Sequence, residues 1–274
     1  MGGKSPRAAA FGPVRGDGKA QVEEQMQMDE LKGKVVLVTG GSRGMGEAMV
    51  RGFARHGASP VIASRKLEKC VELADRVSSE FGVRTLPVAV NVSNWSQCDD
   101  LVDQVYDEFG RVDVLVNNAG LSPLYPSVAE VSEQFFDKVI AVNLRGPFRL
   151  TANIGTRMAA AEGGSVINIG SIEAIRPHPR ALPYAAAKGA LHVLTEGFAK
   201  TFGPKVRVNT IQAGPFLTDI STNWPAGLRE EMENHVALGR CADADEIVGA
   251  ALYFATSASS FVTGSCLRVD GGWQ

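Results

Sequence analysis

Lys34-Val35-Val36-Leu37-Val38-Thr39-Gly40-Gly41-Ser42-Arg43-Gly44-Met45-Gly46 is the stretch on which the fold turns. Residues 34–39 form the apolar run of a strand buried on both faces, the glycines that follow interrupt it, and from Glu47 to His56 apolar residues return at helical spacing. Strand, glycine turn and helix in that order let backbone come close to a pyrophosphate, while the helix N-terminus offers unpaired N–H groups and the positive end of its dipole. The spacing is Gly-x-x-x-Gly-x-Gly rather than Gly-x-Gly-x-x-Gly. A glycine turn of this kind is structural as often as functional, and residues downstream decide between the two.

Outward from this stretch the same alternation continues. Strand patterns near 34–39, 60–64, 84–90, 112–116, 165–170, 205–212 and 265–269 are separated by helical patterns near 44–57, 67–81, 95–110, 131–160, 183–202 and 243–257. This predicts an α/β domain over residues 29–274, a single Rossmann-type doubly wound parallel sheet of about seven strands with helices on both faces. Ligands of such sheets bind beyond the carboxyl ends of the strands. Residues 216–240, with Trp224 and Pro225, break the alternation and are expected to form a substrate lid. Residues 1–28 lack apolar periodicity and the apolar core of a secretory signal, so a disordered N-terminal extension is expected there.

Composition narrows the function classes. With 274 residues and 45% apolar content the chain can build one large core. A net charge of −2 and no basic stripe give no footprint for nucleic acid. No apolar run reaches the roughly 18 residues that span a bilayer. Cys70, Cys98, Cys241 and Cys266 are scattered, and His56, His178, His192 and His235 lack ligand spacing, so no metal site is expected and a cytoplasmic, reducing location is.

Tyr184 and Lys188 stand four residues apart in a helical pattern, which puts a phenol and an ammonium on one face. A phenol ordinarily titrates near pH 10, and a neighbouring cation is expected to pull that value down. Together with Thr39 before the glycine turn, with Asn117-Asn118-Ala119-Gly120 after the strand at 112–116, Asn143 in Val-Asn-Leu, Ser171 thirteen residues before Tyr184, and Asp270-Gly271-Gly272 near the end, these residues resemble the short-chain dehydrogenase/reductase family over residues 29–274. The resemblance implies an enzyme that interconverts a ketone and a secondary alcohol. In it Tyr184 is general acid and base, Ser171 holds the substrate oxygen, Lys188 lowers the Tyr184 pKa and binds the nicotinamide ribose, and Asn143 positions a water. It further implies cofactor contacts from Gly40, Ser42, Arg43, Gly44, Met45, Gly46, Asn91, Val92, Asn118, Ala119, Gly120, Tyr184, Lys188, Gly214, Pro215 and Thr218, and a homotetramer or homodimer formed through the helices near 131–160 and 183–202. Two positions depart from the family's pattern. Asn91 replaces a common Asp, still with an acceptor for adenine, and Ala213-Gly214-Pro215 stands where Pro-Gly is usual.

Charge at the end of the second strand bears on the cofactor. An acid there would bond a ribose 2′-hydroxyl and repel a 2′-phosphate. Ser64-Arg65-Lys66 supplies a hydroxyl and cations instead, and Arg43 is a second cation in the glycine turn, so NADP(H) is expected in preference to NAD(H). Arg176, His178 and Arg180, between Ser171 and Tyr184, could meet an anionic substrate or carrier such as an acyl thioester, or be solvated surface charges. Leu121, Leu124, Tyr125, Phe216, Leu217 and Trp224 suggest a partly apolar substrate, steroid-like or otherwise. A dinucleotide-binding regulatory protein without turnover is the alternative, and the intact set of Asn143, Ser171, Tyr184 and Lys188 speaks against it.

Overall fold

β1 (Val35–Thr39) is buried along its whole length because its alternate side chains enter two different cores. Val36 and Val38 pack with Met49, Val50 and Phe53 of α1 (Gly44–Arg55), whereas Val35 and Leu37 join Leu101, Val102 and Val105 of α3 (Trp95–Phe109) on the other side. In a computed structural model describing residues 30–219, 221 and 227–274, β1 lies between β2 (Ser59–Ser64) and β4 (Val114–Asn117), parallel to both. With β3 (Leu86–Ala89), β5 (Gly164–Ser171), β6 (Val206–Ala213) and β9 (Cys266–Val269) these strands make one seven-stranded parallel sheet in the order β3-β2-β1-β4-β5-β6-β9. The order reverses at β1 and β4, so Thr39 and Asn117 end beside a crevice at the carboxyl edge. α2 (Leu67–Phe81), α5 (Gly146–Ala160), α6 (Leu182–Phe202) and α8 (Val248–Ala255) complete the two layers. No helix among the described residues is long and apolar enough to cross a membrane.

The doubly wound sheet expected from the sequence is thus present, with strand and helix ends displaced by a residue or two. One expectation needs correction. The helical pattern near 131–160 is three pieces, α4 (Glu133–Ile140), a π-helical turn (Ala141–Arg145) and α5. Pro147 has no N–H to give the Asn143 carbonyl four residues back, and the Gly146 N–H bonds Ala141 instead, five residues back. In the stretch 216–240, β7 (Phe216–Leu217) pairs in parallel with β8 (Ala242–Asp243), and α7 (Leu228–His235) lies between them in the chain. Trp224, Pro225 and the extension over 1–28 lie outside the described residues.

A buried polar chain crosses the carboxyl half of the sheet. Asn117 Nδ2 donates to Asn168 Oδ1 at 2.9 Å and Thr151 Oγ1 at 3.0 Å, and Asn168 Nδ2 donates to Thr195 Oγ1 at 2.9 Å. Thr195 Oγ1 in turn meets Thr210 Oγ1 at 2.8 Å. These bonds join β4, β5, α5, α6 and β6 where no water can replace them. Asn168→Ala should therefore lower stability by about 2–4 kcal/mol, since it leaves two buried partners short of a bond; a urea midpoint equal to that of the wild type would contradict this.

Candidate active site

The glycine turn and the Asn117–Gly120 turn are fastened into one unit. Thr39 Oγ1 accepts from the backbone N–H of Asn118 (3.0 Å) and Ala119 (3.1 Å), while Asn118 Nδ2 donates to the carbonyls of Thr39 (2.9 Å) and Gly40 (3.1 Å). The chain doubles back so tightly that a Cβ on Gly46 would lie 2.2 Å from the Gly40 carbonyl oxygen. Gly40 and Gly44 take φ of +63° and +53°, which only glycine adopts without strain. No side chain caps α1, in contrast to α3, where Asn94 accepts from Gln97 N. An uncapped helix N-terminus over a turn whose glycines let backbone approach closely fits a dinucleotide pyrophosphate.

Above the ends of β4 and β5, α6 presents Tyr184 and Lys188. Lys188 is buried, its Nζ donates to the Ile169 carbonyl at 2.7 Å, and it lies 5.6 Å from the Tyr184 ring centre. Ser171 ends β5 facing the phenol, with its Oγ accepting from Glu173 N at 3.2 Å. Asn143 is fully buried in the π turn; its Oδ1 accepts from Leu121 N at 3.2 Å and its Nδ2 donates to the carbonyls of Leu121 (2.8 Å) and Val139 (2.9 Å). A Cβ on Gly120 would stand 3.4 Å from Asn143 Oδ1 and 4.0 Å from Lys188 Nζ, so all four residues read from the sequence gather under the Asn117–Gly120 turn.

The electrostatics differ from the expectation. The Tyr184 pKa is not pulled toward neutrality but pushed up to about 12, because burial disfavours the phenolate; Ser171 pulls it down and the carboxyl of Glu173 adds to the rise. Burial also lowers Lys188 to about 8. Desolvation outweighs the mutual attraction expected of the pair, and at neutral pH the phenol holds its proton beside an ammonium close to titration.

Other expected residues are placed as follows. Ser42 Oγ donates to Ser64 Oγ at 2.9 Å, which ties the glycine turn to the end of β2, and Ser64 Oγ is also 3.1 Å from Cys70 Sγ. Arg65 is exposed and makes no ion pair among the described residues, Lys66 immediately precedes α2 in extended conformation, and Arg43 is held by Asp219 at 2.7 Å. Asn91 Oδ1 accepts from Ser93, from N at 3.2 Å and Oγ at 2.8 Å, and Val92 is buried against Gly146. Met45 packs on the core, and Gly214 would bring a Cβ within 2.6 Å of Asp270 Cα. Thr218, three residues beyond Pro215, sits against Gly44. Tyr125 is not open apolar surface: its hydroxyl donates to Pro179 O (2.9 Å) and accepts from Leu182 N (3.1 Å), while its carbonyl holds Arg180 Nε at 3.2 Å. Arg176 is exposed.

A family model described as Enoyl-(Acyl carrier protein) reductase matches residues 40–274. The 3-oxoacyl-[acyl-carrier-protein] reductase of Thermotoga maritima is 33% identical over 246 residues, covering 88% of this chain and 98% of the relative. The chain belongs to the short-chain dehydrogenase/reductase family. D-threitol dehydrogenase of Mycolicibacterium smegmatis is 33% identical over 89% of this chain and 94% of its own length. The L-sorbose reductase of Gluconobacter frateurii, solved with NADPH and L-sorbose, superposes with a TM-score of 0.83 at 29% identity over 88% of this chain and 97% of that one. The protein is accordingly an oxidoreductase of alcohol and carbonyl groups from a family that binds NAD(P)(H).

Three residues near the site escaped the sequence reading. Glu173, two positions after Ser171, is half-buried, and burial raises its pKa. His192 stands one turn beyond Lys188, its pKa lowered by burial and then by the Lys188 charge. The i, i+4, i+8 spacing of Tyr184, Lys188 and His192 carried a signal for the latter. Nothing local marks Asp219. Gly46→Ala should weaken dinucleotide binding at least tenfold, because the turn must open to admit the methyl; tight binding by the variant in a fluorescence titration would refute the tightness assigned to this turn.

Proposed function

We propose that the protein is an NADP(H)-dependent reductase interconverting a ketone and a secondary alcohol, with Tyr184 as the proton donor to the substrate oxygen. The observation that carries this is a protonated phenol, faced by Ser171 and one helical turn from a buried lysine. Bound nicotinamide would supply or accept the hydride. Gly40, Gly44, Met45 and Gly46 with the α1 N-terminus would hold its pyrophosphate, and Asn91 and Val92 its adenine side. Asn118, Ala119, Gly120, Gly214, Pro215 and Thr218 would enclose the rest. Ser171 holds the substrate oxygen against Tyr184, and Lys188 stabilises negative charge that develops on the phenol as its proton leaves. Asn143 positions the Lys188 side of the site through its bonds to Leu121.

With its pKa near 12 the phenol carries its proton at neutral pH, which is the form that reduction of a carbonyl consumes. Within the carbonyl class, the half-buried Glu173 beside Tyr184 repels anions and accepts hydroxyl protons, which favours a neutral, hydroxyl-bearing end next to the reacting carbon over a phosphate or carboxylate. D-threitol and L-sorbose, named for two of the relatives, are of that kind. A homo-oligomer through α5 and α6 accompanies this function: Phe148 and Val193 on these helices are 38% and 73% exposed, which leaves an apolar face to cover.

Tyr184→Phe should keep the fold and cofactor affinity and lower kcat for carbonyl reduction by at least about 10². Reduction needs the neutral phenol, present below about 12, and the lysine ammonium, present below about 8, so kcat should fall as pH rises through about 8. A stopped assay of NADPH oxidation from pH 6 to pH 10 measures both, and near-full activity in the variant or a flat profile would remove Tyr184 or Lys188 from these roles.

NADPH should bind at least about tenfold more tightly than NADH, since one charge-assisted phosphate contact of about 1.5–3 kcal/mol suffices and Arg65 has no competing acid among the described residues. Arg65→Ala should weaken NADPH and spare NADH. Equal affinities for the two cofactors in the wild type would rule the preference out.

A further inference from the structure

Arg43 does not extend freely from the glycine turn. Its NH1 donates to Asp219 Oδ2 at 2.7 Å, 176 residues along the chain, and the two side chains remain 56% and 50% exposed. The contact belongs to a seated segment rather than to a chance meeting of long side chains. The neighbouring Gly44 would bring a Cβ to 3.1 Å from Thr218 Cγ2, so the stretch after β7 lies directly on the turn after β1. On the other side of the same turn, the Ser42–Ser64 hydroxyl bond fixes the end of β2 and places Arg65, which has no ion-pair partner among the described residues, next in the chain. A phosphate at the end of β2 therefore meets Ser64 and Arg65 at once, but meets Arg43 only at the expense of Asp219.

We infer that Asp219 is a specificity-determining residue that competes with the 2′-phosphate of NADP(H) for Arg43 and so restrains discrimination between the two nicotinamide dinucleotides. The contact is monodentate, one N–H to one carboxylate oxygen, whereas a guanidinium offers five N–H groups and can fork onto a phosphate. The carboxylate also opposes the incoming phosphate directly, over the roughly 8–10 Å that charge interactions reach at ordinary ionic strength. NADH carries no 2′-phosphate and has no reason to move Arg43. Asp219 acts in this way only if NADP(H) is the preferred cofactor, as proposed above.

Asp219→Asn preserves shape and removes the charge. Exposed ion pairs shift equilibria by up to roughly fivefold, so the variant should bind NADPH about two- to fivefold more tightly while its NADH affinity stays within experimental error. In an Arg43→Ala background the same substitution should leave NADH unchanged and tighten NADPH by less than in the wild type, because only the direct repulsion of the phosphate remains to be relieved. Fluorescence titration of both cofactors with the four proteins of this cycle, at low and at raised salt, gives the answer. Equal tightening or weakening of NADPH and NADH would overturn the inference and make Asp219 a strap common to both, and no change with either would reduce the ion pair to surface decoration. Equal wild-type affinities for NADPH and NADH would instead sink the NADP(H) preference, a result read from the unmutated protein alone.

Discussion

Thr195 holds α6 in register, and the geometry of the candidate site depends on that hold. Its hydroxyl has one proton, which goes to the Leu191 carbonyl at 2.8 Å, so Asn168 Nδ2 and the Thr210 hydroxyl both donate to it. The helix is thereby fastened to β5 and β6 at once, through a hydroxyl with no spare capacity. Two turns toward the N-terminus on the same face is Lys188, four residues further is Tyr184, and Ser171 at the end of β5 is carried on the same strand as Asn168. Phenol, hydroxyl and amine are thus located by buried bonds that do not themselves touch a substrate.

Burial then sets what these groups can do. It opposes charge on Tyr184 and on Lys188 alike, raising one to about 12 and lowering the other to about 8. Sequence spacing alone suggested mutual stabilisation of a phenolate and an ammonium. The outcome is a phenol that keeps its proton until negative charge develops on a bound oxygen, with a lysine whose ammonium is strongly felt because little water screens it. Glu173 reinforces the difference by adding negative charge on the phenol's side. At neutral pH the phenol is therefore present with its proton.

Much of this was legible in the sequence where the responsible physics is local. Apolar runs that alternate with helical spacing give the sheet, because a parallel strand covered on both faces cannot hide its composition. The glycine turn and the four residues Asn143, Ser171, Tyr184 and Lys188 carry fixed spacings that the fold brings together as expected. The π turn was concealed because Ala141–Arg145 looks helical residue by residue, and only the missing N–H of Pro147 hints otherwise. Tyr125 looked like substrate-facing apolar surface, yet its hydroxyl and carbonyl bind a loop more than fifty residues away. Pairings such as Arg43 with Asp219 leave no periodicity at all, since they are set by where β1 and β6 end in the sheet.

The strand order makes those distant ends a single device. Thr39 and Asn118 lock the two turns at the crevice, Gly120 and Leu121 continue from there to Asn143, and Asn143 lies beside the Lys188 ammonium. Every link is a backbone or amide hydrogen bond or a close packing of glycine, with little room to relax. A group cradled by the glycine turn would consequently be held at a set distance from Tyr184 on α6. Positioning of this order governs rate, because reacting atoms must be brought to near-contact and a misplacement of about 1 Å can lower it about 10²-fold. The glycines at 40, 44, 46 and 120 act without any side chain, by letting the elements that bear Asn118, Asn143 and Lys188 stand close together.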